Sequence, residues 1–221
     1  MTNSMSATLS LSIMEKNGSV RNRTISMVSK SFPEGVEKRF IRFIDPVDVR
    51  GTAMLIFDNT SSADEMWIFL PALKKTRRIV SSEKGKSFMS SEFSNADMSS
   101  PSLSDFTNKH IGSSGNDNQW VIESIPVSQD KADEYGYSRK ITYFSMDKCQ
   151  VNKMEFYNFD NELFKVIEIK SVHPLPEGKY MILEMTAINL LTGRKSTITF
   201  TRIADNPKID DSVFTIQNLE R

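Results

Sequence analysis

The sequence predicts a mainly β protein, a strongly curved antiparallel sheet interrupted once by a short helical insert. Three observations predict it. Apolar residues recur at period two along most of the chain, as they do on the faces of strands. Turn signals such as Asn17-Gly18 join consecutive strand patterns into hairpins, which are antiparallel. One stretch alone, residues 87–114, trades the alternation for Ser, Asn and Asp with scattered large apolar residues.

The elements follow in order. Thr8 to Lys16 sets Leu9, Leu11 and Ile13 against Thr8, Ser10 and Ser12. Asn17 and Gly18 both tolerate positive φ, so the chain reverses there. Arg21 to Lys30 returns with Ile25 and Met27 on one face. Glu37 to Ile44 and Arg50 to Asp58 are joined at Asp45-Pro46, and Met66 to Leu70 follows. Beyond the insert come the region near Trp120, then Arg139 to Asp147, Asn152 to Phe159, Leu163 to Ser171, Tyr180 to Asn189 and Lys195 to Ile203. Turns are expected near Asn161 and at Leu191-Thr192-Gly193. That makes about eleven strands.

Two strands are apolar on both faces: Ala53-Met54-Leu55-Ile56-Phe57 and Met66-Trp67-Ile68-Phe69-Leu70. A sheet with one wet face alternates instead, so both faces here require a cover. The insert is the expected cover. Ser91 and Ser104 or Asp105 are its candidate N-caps, and it carries Phe88, Met89, Phe93, Met98, Leu103, Phe106 and Ile111. It is expected to lie over the concave sheet face as a lid. The tail from Asn206 to Phe214 is expected to form a last helical turn that buries Ile209 and Phe214. With no internal repeat and no long linker, the chain reads as one domain: strands over 1–86, the helical lid over 87–114, strands and a C-terminal turn over 115–221.

Composition narrows the function. Lys+Arg and Asp+Glu are equal at 28 each, which argues against a general polyanion or nucleic-acid binder. One cysteine, Cys149, rules out an internal disulfide and argues against a thiolate metal site. No segment approaches the roughly 20 apolar residues of a membrane-spanning helix. The first ten residues, MTNSMSATLS, show no basic region followed by an apolar core.

Catalytic motifs are missing from the pattern. His110 and His173 lie in no metal-binding spacing, no G-x-S-x-G elbow occurs, and Gly85-Lys86-Ser87 lacks the upstream glycine of a phosphate loop. Most Asp and Glu fall at strand ends and turns, where they are expected anyway. Asn17-Gly18-Ser19, Asn22-Arg23-Thr24 and Asn59-Thr60-Ser61 match the glycosylation triplet, and would be chance matches were the chain bacterial. The basic run Lys74, Lys75, Arg77 and Arg78 reads either as a solvated strand edge or as a contact for an anionic headgroup or partner. Twelve methionines are either core filler or a surface adapted to variable apolar partners.

An ordered set of motifs carries a family resemblance. Arg42-Phe43-Ile44-Asp45-Pro46 precedes Gly51-Thr52-Ala53-Met54-Leu55; Met66-Trp67-Ile68-Phe69-Leu70-Pro71-Ala72-Leu73 runs into the basic residues and Ile79; Ser87-Phe88-Met89 precedes Glu92-Phe93; Asn206-Pro207 precedes Ile209-Asp210 and Phe214-Thr215. From about residue 36 onward this resembles the outer-membrane lipoprotein-sorting proteins, the LolA-like periplasmic carriers. Ser90 and Asn95-Ala96-Asp97 depart from the family's Gly and Tyr-Glu-Asp at the insert.

The resemblance implies an incomplete, half-open β-barrel closed by short helices over an apolar cavity. It implies a non-enzymatic chain without cofactors or metals, working in the periplasm after removal of a signal peptide, with Met1 then an addition. The implied cargo is a lipid, a lipoprotein acyl chain or another hydrophobic molecule; an inner-membrane transporter and transient membrane contact are the implied partners. On that reading the cavity is lined by Leu55, Phe57, Trp67 and Phe69 from the sheet and by Phe88, Met89, Phe93, Met98 and Phe106 from the lid. Residues 81–87 are the expected hinge. A one-residue slip of face would exchange the sheet set completely. The competing expectation is a protein-interaction module whose barrel is filled by its own side chains.

Overall fold

A computed structural model describes residues 4–60, 62–114, 118–175 and 178–221. Met1 and Ser61, each part of an expectation above, lie outside them. The fold is mainly β, as expected. Thirteen strands form one antiparallel sheet: β1 (Ser4–Met14), β2 (Val20–Phe32), β3 (Val36–Asp45), β4 (Ala53–Asn59), β5 (Glu65–Leu70), β6 (Lys75–Ile79), β7 (Phe106–Ser114), β8 (Gln119–Pro126), β9 (Arg139–Ser145), β10 (Val151–Tyr157), β11 (Leu163–Pro174), β12 (Tyr180–Asn189) and β13 (Lys195–Asp205). The spatial order is β6-β5-β4-β3-β2-β1-β13-β12-β11-β10-β9-β8-β7, so the sheet has two edges, β6 and β7, and does not close.

Two strands exceed the sequence reading. β6 is the basic run itself, whose sequence Lys-Thr-Arg-Arg-Ile has no apolar alternation to announce it. It is a strand because β5 offers it a ladder from Met66↔Ile79 to Leu70↔Lys75. β7 takes the last third of the expected helical insert. What remains of that insert holds two single 3₁₀ turns, Ala96–Met98 and Leu103–Asp105, neither capped by a side chain. The short helix α1 (Ser81–Lys84) precedes it. A second helix, α2 (Gln129–Tyr135), was not anticipated, although its ends are legible. The Ser128 hydroxyl accepts the Lys131 N–H at the N-terminus, and Gly136 takes the left-handed conformation (φ 79°) that closes the C-terminus.

The chain divides into two compact units, Met1–Ser12 with Asn22–Val80 and Thr199–Arg221, and Ile13–Arg21 with Ser81–Ile198. The single-domain expectation did not include this division. In the first unit, register places side chains in rows. Met27, Ile41, Met54 and Ile68 face each other across β2 to β5. On the opposite face lie Phe40, Leu55 and Trp67, flanked by Lys38 and Phe57 and by Ala53 and Phe69.

The second face has a cover made by the tail. A 3₁₀ turn, Asp211–Phe214, leads into α3 (Ile216–Leu219), and Phe214 and Leu219 are buried with Phe40, Ala53 and Leu55. Ile209, Val213, Phe32, Phe57, Trp67 and Phe69 pack around that core. The expected burial of Phe214 is therefore a feature of the fold, while Ile209 is only partly buried. Polar contacts orient the tail: Arg42 Nη2 donates to the Asn218 carbonyl (2.9 Å), Lys30 Nζ meets Asp211 (2.6 Å), and the Thr76 hydroxyl donates to Glu220 (2.7 Å).

Phe214→Ala is expected to remove about 3–5 kcal/mol of stability, since it empties a fully packed aromatic site. Urea unfolding measures the loss. A change under about 1 kcal/mol would mean that the tail does not hold this face.

Candidate functional site

The four sheet residues singled out from sequence do come together. Leu55 sits opposite Trp67, and Ala53 opposite Phe69, on adjacent strands. Phe57 and Trp67 meet edge to face at 5.0 Å between centroids. These residues pack against Phe214, Leu219, Val213 and Ile209 of the chain's own tail. The reason is parity: along β4 successive side chains alternate faces, and the tail occupies the Leu55 face. The other face carries Met54, Ile56 and Met66, all fully buried, with Ile68 and Ile41 nearly so. Its polar members are Arg39, which pairs with Glu37 (2.8 Å) and Asp58 (3.0 Å), and Ser29. Burial disfavours the Arg39 cation, yet those carboxylates hold its pKa above the ordinary value.

The basic run does not make one patch. Lys74 adopts a left-handed turn (φ 47°) before β6. Lys75 and Arg77 then point to one face, opposite Leu70 and Ile68, while Arg78 points to the other, over the Trp67 ring (5.9 Å) and paired with Glu65 (2.8 Å). Lys74 and Lys75 are exposed and have no ion-pair partner among the described residues.

The insert belongs to the second unit and is built as a tight hairpin. Phe88 N–H donates to the Phe93 carbonyl (2.7 Å), and Ser91 N–H to the Phe88 carbonyl (2.9 Å). Met89 (φ 49°) and Ser90 (φ 62°) form the turn, both left-handed, the conformation of a type I′ turn. Phe88 and Phe93 are buried, whereas Met89 and Met98 are half-buried. Phe106 stands at the start of β7, where it meets Tyr135 (4.8 Å) and Tyr137 (6.3 Å).

Three charged anchors fasten this segment. Buried Lys84 pairs with buried Glu134 at 2.6 Å, with Lys131 also on Glu134 (3.0 Å). Asp97 accepts from buried Lys165 at 2.8 Å and from the Ser94 N–H at 2.7 Å. Glu92 meets Arg194 (2.7 Å) and Asn189 (2.9 Å), and its N–H donates to Ser196 (3.0 Å). Arg194 also donates to the Ser90 carbonyl and pairs with Glu15. Burial raises the Glu134 carboxyl, but hydrogen bonds from Lys84 and Lys131 outweigh it and hold the pKa below the usual carboxylate range. The expected hinge, residues 81–87, contains Lys84 and a close backbone crossing. A methyl group on Gly85 would come within 2.8 Å of the Gly136 Cα and 2.9 Å of its nitrogen.

His110 and His173 are both exposed strand residues, on β7 and β11. Among the described residues no group of three or more His, Cys, Asp or Glu is placed to hold a metal ion. No helix of the described residues is long and apolar enough to cross a membrane. Sequence reasoning missed the anchors entirely. Glu92 and Asp97 looked like loop carboxylates, and their partners lie 68 to 104 residues away.

A model of a family described as an uncharacterized protein matches residues 35–221. No curated protein matches the sequence. Among solved structures, the chain is similar to a Vibrio parahaemolyticus domain described as a "putative outer membrane lipoprotein-sorting protein domain", at 24% identity and a TM-score of 0.88, covering 99% of this chain and 92% of that one. It is similar to a DUF1329 family protein from Desulfovibrio piger at 25% identity and a TM-score of 0.86, over 98% and 91% of the two chains. It is also similar to a LolA superfamily protein from Nitrosomonas europaea at 15% identity and a TM-score of 0.73, over 97% and 91%. The fold is that of the LolA superfamily.

Two outcomes test the insert. Ser90→Gly should stabilise the protein by roughly 1 kcal/mol, because glycine enters the left-handed region without the Cβ penalty; thermal unfolding reads it, and a lowered midpoint would refute the strain. For Glu134 the folded pKa is depressed, so its stability contribution is present above about pH 4.3 and lost as pH falls through the folded value. Glu134→Gln should cost about 3–5 kcal/mol at pH 7 by stranding Lys84. It should also flatten the stability profile below about pH 4. An unchanged acid limb in urea titrations would exclude Glu134 as its source.

Proposed function

The chain belongs to the family, described as an uncharacterized protein, whose model spans residues 35–221, and from that premise we propose a non-enzymatic periplasmic carrier of lipid, lipoprotein acyl chains or another hydrophobic cargo. The observation that supports this most directly is the Met27, Ile41, Met54, Ile68 row of the unclosed sheet. It is an apolar, methionine-bearing row on the face opposite the tail, buried in this state, so cargo would enter by displacing what covers it, and Met adapts to cargo of variable shape. Each CH₂ of an acyl chain buried there gains roughly 0.8 kcal/mol, so a single chain suffices for useful affinity. The fold shared with a protein described as a lipoprotein-sorting domain supports the same reading.

On this reading the Met54 face receives cargo, and Leu55 with the partly buried Phe57, Trp67 and Phe69 remain cargo candidates on the other face. Phe88, Met89, Phe93 and Met98 are the insert's cargo candidates. Lys74 and Lys75 are the groups that meet an anionic headgroup or a partner such as an inner-membrane transporter. One observation favours a second reading, a partner-binding module with a self-filled sheet: Met54, Leu55 and Ile56 are fully buried without any cargo.

Photolabelling discriminates. A diazirine-bearing fatty acid is expected to crosslink to peptides holding Met27, Met54 or Met66. Native mass spectra of protein taken gently from a periplasm are expected to show a lipid-mass adduct. A clean protein mass together with no labelling would transfer the weight to the partner-binding module.

A further inference from the structure

The second unit contains a cationic aromatic nest that none of the three insert anchors fully uses. On neighbouring strands Lys140, Phe156 and Lys165 stand opposite one another in a single row across β9, β10 and β11. Phe106 and Tyr137 complete the nest: Tyr137 meets Phe156 edge to face (5.2 Å) and stacks on Phe106 (6.3 Å). Each amine lies over a different ring of the nest, Lys140 Nζ over Phe106 (5.2 Å) and Lys165 Nζ over Phe156 (4.3 Å).

Their charges do not balance. The nearby carboxylate, Asp97, is engaged by Lys165 and by the Ser94 N–H. Two ammonium groups therefore share one carboxylate. Among the described residues Lys140 has neither a hydrogen-bond nor an ion-pair partner, and the Tyr137 hydroxyl has no hydrogen-bond partner. Burial lowers the Lys140 pKa, with the Asp97 charge opposing the shift and the Lys165 charge adding to it. Burial and the Asp97 charge raise the Tyr137 phenol, so it remains protonated and able to donate. A site with surplus positive charge, an open phenol donor and aromatic walls fits an oxyanion attached to an apolar body.

We propose that Lys140, with Tyr137 as a second donor and Lys165 beside it, binds the anionic head (a carboxylate or phosphate) of a single-chain amphiphile. The acyl part of this assignment rests on the carrier reading; the anion site does not.

The test compares dodecanoate, dodecyl phosphate, methyl dodecanoate and inorganic phosphate, on wild type and on Lys140→Met, which keeps the apolar stem. Wild type is expected to bind the two anionic amphiphiles about tenfold more tightly than the methyl ester, the worth of one charged hydrogen bond. In Lys140→Met that preference should vanish while methyl dodecanoate affinity stays within about twofold. A preference that survives in Lys140→Met overturns the proposal. Lys140→Gln repeats the comparison should the first variant fail to fold. If wild type binds no amphiphile, the carrier reading fails by itself. Inorganic phosphate then decides the anion site, read from the Lys140 Nζ NMR signal assigned with the same variants. A phosphate-dependent shift supports a site for free anions, and an unmoved signal overturns it.

Discussion

Strand β4 has no wet face, and the first unit is organised around that constraint. Met54, Leu55 and Ile56 are consecutive and all fully buried, so two separate covers are needed on opposite sides. The chain's own end supplies one of them. Phe214 and Leu219 bring the apolar area, and burial of two such side chains outweighs what the ion pairs around them contribute. Lys30–Asp211 and Thr76–Glu220 involve exposed partners and act mainly to set where the tail lies. Register then does the rest. Once Leu55 faces the tail, Trp67 and Phe57 must do so too, while Met54, Ile68 and Ile41 must face away.

The insert is held on a different principle. It has few buried apolar side chains, chiefly Phe88 and Phe93, and relies on charges inserted among the strands of its own unit. Lys84, Asp97 and Glu92 each find an oppositely charged partner distant in sequence. Such pairs add little net stability, because desolvation offsets much of the attraction, but they punish every misplacement by leaving a charge stranded. They therefore specify position. The Gly85–Gly136 crossing adds a steric condition at the segment's entry. A segment of this kind moves as a whole or not at all, since releasing it means separating several charge pairs together.

The same electrostatic reasoning links the anchors to the proposed ligand site. Asp97 satisfies Lys165 and thereby leaves Lys140 without a counterion. An anion arriving at Lys140 would meet a row whose remaining members are already committed. On the proposed reading the head-binding amine, Lys140, belongs to the second unit.

By itself the sequence determined the class of fold. Period-two patterns, Asn17-Gly18 and the doubly apolar β4 and β5 are local or near-local signals, and they led to an antiparallel sheet with covered faces and a buried Phe214. The ordered motifs around Asp45-Pro46, Pro71 and Asn206-Pro207 pointed to the fold this chain shares with a LolA superfamily structure. Tertiary structure alone decided which face belongs to the tail, because alternation is symmetric and says nothing of which side is inward. It decided that Lys75–Ile79 is a strand, since ladder hydrogen bonds to β5 do not depend on side-chain polarity. It also decided that Phe106–Ser114 joins the sheet edge instead of extending the insert. Finally, it decided which carboxylates are structural. Glu92, Asp97 and Glu134 look like any solvated acid in the sequence, and only folding brings Arg194, Lys165 and Lys84 within 2.6–2.8 Å of them.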